Sequence, residues 1–205
     1  MKLASCLLAA AAAAYAYSQP LIDGPFIMFI GPPGSGKTTQ AVRAAKYLRI
    51  RIISAEQMVS SNPGAFTRYE RTLISGLSGV EPRGDTVMNS IFGALIASGD
   101  FKRGVIVDGY PASKGHADYV RDLVMDGRAP IPILIQLDLP DDEVRRRSSK
   151  QPANTVEQRL KDYHREMDML QIYFPAAEIH FVAANRSAAT VAREIRGILR
   201  GRWNH

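Results

Sequence analysis

The stretch Gly31-Pro-Pro-Gly-Ser-Gly-Lys37-Thr38-Thr39 constrains this chain more than any other. It fits G-x-x-x-x-G-K-[ST] at every position, the pattern of a phosphate-binding P-loop. Phe26-Ile-Met-Phe-Ile30 precedes it, a short unbroken apolar run that reads as a buried strand. Thr38 to Leu48 follows with helical spacing and no breaker. In a strand–loop–helix setting, Gly31, Gly34 and Gly36 let the backbone wrap closely, and the N–H groups of the loop, Ser35 included, turn inward. The helix start adds the positive end of its dipole. Lys37 supplies a mobile charge for the β- and γ-phosphates, and the Thr38 hydroxyl, with Thr39 beside it, is placed to bind Mg²⁺.

Downstream the chain alternates. Arg51–Ser54 predicts a strand, and 55–62 one or two helical turns ended by Pro63-Gly64. Residues 65–77 have helical spacing, 78–84 read as a loop, and Asp85 can cap a helix to about Ser98. Gly104-Val-Ile-Val-Asp108 predicts a strand ending in a carboxylate, and a helix over 114–125 follows. A strand ending in Asp-Gly also suits a simple turn cap. Beside a complete P-loop it reads as a Walker B aspartate that holds Mg²⁺ directly or through water. Further strands are predicted at 132–138 and 178–182. Helices are predicted from Pro140 to Arg147, from a Thr155 cap to Tyr173, and from 187 to 200. The three consecutive arginines at 145–147 cannot share one helix face.

Strands alternating with helices predict an α/β fold: a P-loop three-layer architecture whose parallel five-stranded sheet carries helices on both faces. Ligands in such sheets bind outside the carboxyl ends of the strands, where Lys37, Asp108 and the loop after Asp138 fall. The 205 residues suit one domain over 25–205, after an N-terminal segment and linker over 1–24. One cysteine, Cys6, excludes an internal disulfide, and the four histidines are scattered, without metal-ligand spacing. A net charge of +6 suits anionic partners, or reflects only a solubility bias.

Four ordered pieces resemble the adenylate kinase family of nucleoside monophosphate kinases. They are the P-loop through Gln40, Asp108-Gly-Tyr-Pro111, Leu137-Asp-Leu-Pro-Asp141 entering the lid, and Gln158-Arg-Leu-Lys-Asp-Tyr-His164 leaving it. The resemblance implies transfer of a γ-phosphoryl group from ATP, with Mg²⁺, to a nucleoside monophosphate. It implies that Lys37 and the loop amides hold the ATP phosphates, and that Thr38 and Asp108 serve the metal. Arg147 falls where the family stacks an arginine on the ATP adenine. Arg159 falls where a lid-helix arginine bridges the transferring phosphates. For both, a solvated helix face is the alternative.

The departures are as informative. Ala112 stands where the family has an arginine for the acceptor phosphate, His116 where a glutamine reads the acceptor base, and Ser60 where a second arginine stands. Thr38 itself replaces the family's usual glycine. The lid shrinks to 148–154, leaving Lys150. Each lost arginine removes charge-assisted hydrogen bonds; a comparable cation can be worth about a thousandfold in rate. Arg68, Arg71, Arg83, Arg145 and Arg146 are the candidate replacements. Two expectations follow: an active, divergent kinase, or an ATP-binding structural subunit of a larger assembly that has lost transfer. No nucleic-acid recognition module is visible.

Residues 1–17 hold one lysine, an alanine run and Ala14-Tyr15-Ala16. They imitate a secretory signal, an organelle-targeting helix or a retained alanine-rich helix that could join an assembly. The run is shorter than a membrane span needs. Secretion ranks last, because a phosphotransferase outside the cell lacks its nucleotide supply. A mitochondrial location is the expectation, with the cytoplasm as the alternative.

Overall fold

The structure, a computed structural model, describes residues 19–60, 82–98, 101–174 and 178–201. The N-terminal segment up to Ser18 and the helix expected over 65–77 lie outside the described residues. Five strands form one sheet: β1 (Phe26–Ile30), β2 (Arg51–Ser54), β3 (Val105–Asp108), β4 (Ile133–Asp138) and β5 (Glu178–Ala183). All pairings are parallel, in the order β2-β3-β1-β4-β5. Seven helices are described: α1 (Lys37–Leu48), α2 (Ala55–Ser60), α3 (Pro82–Ala97), α4 (Lys114–Met125), α5 (Asp141–Arg147), α6 (Ala153–Tyr173) and α7 (Ala188–Arg200).

Why the strands are continuous apolar runs follows from the layers. Side chains alternate between the faces of a strand, and here both faces are covered. Phe26, Met28 and Ile30 enter a core with Phe92 of α3, Val120 of α4 and Leu170 of α6. Ile27 and Phe29 enter a second core with Ala41 of α1, Val144 of α5 and Val191 of α7. Each fully buried large side chain is worth about 1.5–3 kcal/mol over exposure. That makes β1, buried along its whole length, the anchor of both layers.

Two local details correct the sequence reading. Helix α3 begins at Pro82, inside the stretch read as a loop, and Asp85 sits within its first turn rather than capping it. Proline is at home in the first helical position, where its missing N–H costs nothing. Helix α6 starts at Ala153 with Pro152 at its cap, so Thr155 is already helical; its N–H donates to Asn154 Oδ1 at 2.9 Å. Helix α7, read as starting at 187, begins at Ala188 with Ser187 as its cap, accepting from Thr190 N–H at 3.2 Å.

Candidate phosphate-binding cleft

The sheet order places β1 between β3 and β4, so the chain leaves β1 toward opposite sides of the sheet. The carboxyl ends of β1, β2 and β3 open together onto a cleft of about 420 Å³. Gly34, Gly36, Lys37, Thr38, Thr39, Asp108 and Arg159 line it, with Ser54 and Glu56 on the β2 side.

The loop after β1 turns on glycines with positive φ: 152° at Gly31, 74° at Gly34 and 89° at Gly36. Gly31 is also sterically required, since a Cβ there would sit 2.8 Å from Leu137 O. Gly36 caps α1 with no side-chain partner, and α1 has no acid in its first turn. Its amino end is therefore left for an anion. Lys37 Nζ donates to Gly31 O at 2.6 Å and Pro32 O at 3.2 Å. Ser35 is buried, and its Oγ has no hydrogen-bond partner.

Thr38 Oγ1 donates to Asp108 Oδ2 at 2.6 Å, joining the helix start to the end of β3. Asp108 is only 6% exposed. Burial raises its pKa, the Thr38 hydroxyl and the Lys37 charge pull it back, and Glu56 raises it again. A hydroxyl and a carboxylate side by side are a hard-oxygen pair, the donor chemistry that Mg²⁺ prefers. A cation there would offset the desolvation that burdens Asp108, so the residues present fit the metal.

Arg159 lines the same cleft from α6, donating from Nη1 to Gln151 Oε1 at 3.0 Å. Its Nε is buried without a hydrogen-bond partner. Arg147 stands apart from the cleft lining. Its Nη1 donates to Gly34 O at 3.0 Å, its Nη2 to Ala184 O at 3.1 Å and its Nε to Glu143 at 2.8 Å. It thereby ties the loop to the end of β5. Arg146 and Arg147 together hold the Glu143 carboxyl down to about 2. The other lid-flanking arginines are spent elsewhere: Arg145 on Glu157 and Arg146 on Glu143. The arginine run thus fans out to three destinations.

On the acceptor side, Ala112 N–H donates to His116 Nδ1 at 3.2 Å, so the proton of neutral His116 sits on Nε2. The ring packs at a tilt against Tyr110, at 4.6 Å between centroids. Tyr110 donates to Asn89 Oδ1 at 2.6 Å, and Asn89 to Gly115 O at 3.1 Å. Ser60 bonds back to Gln57 O. Arg68 and Arg71 lie outside the described residues, and Arg83 falls in the first turn of α3. Among the described residues the cleft carries two cations, Lys37 and Arg159, and two carboxylates, Asp108 and Glu56. Glu56 was missed in the sequence. The only signal was its place two residues beyond the carboxyl end of β2.

His116 is 1% exposed, and burial lowers its pKa to about 4. Its Nε2 approaches Asp85 Oδ1 at 3.3 Å, but neither atom has a hydrogen-bond partner, and burial raises Asp85 as well. The folded state therefore disfavours the His116 proton. The stability that follows is full above the unfolded pKa near 6.5 and is lost as pH falls toward 4. A shift of this size corresponds to about 3 kcal/mol. In urea unfolding, the wild type is expected to lose that much more stability than His116→Gln between pH 7 and pH 4. Parallel pH profiles for the two proteins would refute the burial argument.

Residues 29–179 match the sequence profile of a family described as adenylate kinase. The adenylate kinase of Micrococcus luteus is 29% identical over 151 residues, covering 69% of this chain and 74% of that protein. The adenylate kinase of Chelativorans sp. is 26% identical over 189 residues, covering 84% of this chain and 97% of the other. That of Methanococcoides burtonii is 27% identical over 118 residues, 58% of this chain and 55% of the other.

Proposed function

This chain belongs to the adenylate kinase family, and from that premise we propose that it transfers the γ-phosphoryl group of ATP, with Mg²⁺, to a nucleoside monophosphate. One observation carries the reading. The Thr38–Asp108 hydrogen bond closes a cleft that also holds the glycine loop, Lys37 and Arg159. Phosphoryl transfer needs little covalent chemistry from a protein; it needs phosphates in line and charge compensated as it moves.

The loop amides and the α1 amino end bind the donor phosphates. Lys37 leaves the carbonyls of Gly31 and Pro32 for phosphate oxygens, a stronger, charge-assisted partner. Thr38 and Asp108 would hold Mg²⁺, which would compensate the negative charge of the donor phosphates. Arg159, which lines the cleft from α6, meets the charge that develops on the transferring group. Arg147 keeps the loop in register with β5 and borders the donor site.

A second reading has its own support. Ala112 and Ser60 bring no charge to the acceptor side, Glu56 brings a negative one, and both ring nitrogens of His116 face protein groups. A dianionic acceptor phosphate meets less positive charge here than the chemistry favours. The reading that follows is a subunit that binds ATP and transfers slowly or not at all. A coupled assay with MgATP and each monophosphate, run beside calorimetric titration of ATP, separates the two. Turnover that falls about a hundredfold or more in Asp108→Asn supports the kinase. Tight MgATP binding with no turnover on any monophosphate supports the subunit. Failure of the folded protein to bind any nucleotide ends both.

A further inference from the structure

All strands of a parallel sheet start at one edge, so this molecule has two ends of different character. The cleft occupies the carboxyl edge. The amino edge concentrates positive charge. Lys46 and Arg49 lie at the end of α1, Lys102 and Arg103 precede β3, and Arg196 and Arg200 lie in the last turns of α7. Helices α1 and α7 each follow the carboxyl end of a strand of the parallel sheet and run back toward its amino edge, and Gln40 and Arg43 of α1 both donate to Ala188 O at the first residue of α7. Their carboxyl ends therefore reach the same edge.

All six side chains are exposed. None of them forms an ion pair with a described carboxylate. Helix α1 contains no acid, and Glu194, the one acid of α7, is taken by Arg186. The segments leading into β1 and β4 offer a single exposed acid each, Asp23 and Asp126. Elsewhere on the surface Arg121, Arg145, Arg146 and Arg147 are each paired with a carboxylate. Crowded cations of this kind repel one another and are relieved by an anionic surface.

The same edge exposes two large apolar side chains. Met125, ending α4, is 79% exposed, and Ile131, just before β4, is 52% exposed. The polypeptide also enters the domain here. Leu21 and Ile22 N–H donate to Arg128 O, and Asp23 N–H donates to Lys102 O. In the sequence, residues 3–17 upstream carry no charged side chain.

We propose that the amino edge of the sheet docks on an anionic lipid surface. The six cations meet headgroup phosphates and carboxylates, Met125 and Ile131 enter the acyl boundary, and the nucleotide cleft faces away, open to solvent. Charge together with exposed apolar side chains is the combination that stable peripheral binding requires. A nucleic acid would satisfy the cations but would offer nothing to Met125 or Ile131, so lipid is the partner that fits the whole surface. The contact is peripheral: among the described residues no helix is long and apolar enough to cross a membrane.

The test is co-sedimentation of the full chain with phosphatidylcholine vesicles, with and without phosphatidylserine, at low and high salt. Binding is expected only with phosphatidylserine, and salt weakens it. At about fivefold per charge, the combined variant Lys102→Gln, Arg103→Gln, Arg196→Gln, Arg200→Gln should bind more than about a hundredfold more weakly, at an unchanged melting temperature. Met125→Ser with Ile131→Ser should release the fraction that survives high salt. The proposal is overturned by equal binding to both vesicle types. It is overturned equally by full partitioning of the four-charge variant, or by tighter binding to an RNA hairpin at the same phosphate concentration.

Discussion

Lys37→Met is expected to lower phosphoryl transfer by about a thousandfold or more while leaving the protein folded. The ammonium is the one mobile cation on the loop itself. It rests 2.6 Å from Gly31 O, so it is already poised over the concavity where phosphates bind. Methionine keeps the length of the side chain and its packing against the loop but removes the charge. Nothing else within the loop can replace it: Thr38 and Thr39 are neutral, and Arg147 is held by Gly34 O, Ala184 O and Glu143. The measurement is the coupled assay on purified variant, with a thermal melt to establish folding. Turnover equal to wild type would mean that the donor phosphates lie elsewhere, and the kinase reading would be lost.

The second large effect is on stability. Gly31→Ala is expected to destabilise the fold by about 4 kcal/mol, combining backbone strain with overpacking. Gly31 has φ 152°, and a Cβ would stand 2.8 Å from Leu137 O, 2.9 Å from Ser35 Oγ and 3.0 Å from Leu137 Cβ. Leu137 is a fully buried residue of β4, fixed by its pairing with β5, so the obstruction is backbone that cannot yield. Gly36→Ala is the control. Its φ of 89° is also one that side chains rarely adopt, but a Cβ there meets nothing within 4 Å. Its cost should stay at about 1–2 kcal/mol. Urea unfolding of both variants reads the difference directly. Equal losses would show that collision with β4 plays no part.

The elements that proved legible share a property. The five strands and helix α4 were located within a residue of their ends because each is a local pattern. Apolar runs mark strands buried on both faces, and proline, glycine and serine mark the breaks. The P-loop was legible for the same reason: eight consecutive residues carry both its geometry and its charge. Boundaries set by weak or competing caps were less legible. Asp85 and Thr155 both had the chemistry to start a helix, yet a proline just upstream in each case began it earlier. Preorganised φ outweighed the side-chain cap.

The candidate site divides in the same way. The chain alone determined an α/β sheet with a glycine loop at its carboxyl edge, because strand patterning, loop chemistry and helix start are read within short windows. Only the tertiary structure brought Thr38 within 2.6 Å of Asp108, seventy residues away in sequence. Only the tertiary structure set Glu56 in the cleft, directed Arg147 to the loop backbone rather than into the cleft, and buried His116 against Tyr110. It also gathered the cations of three separate segments onto one edge. Those outcomes depend on which strands are neighbours, and that is decided by burial of both sheet faces at once, a sum over the whole chain that no short stretch contains.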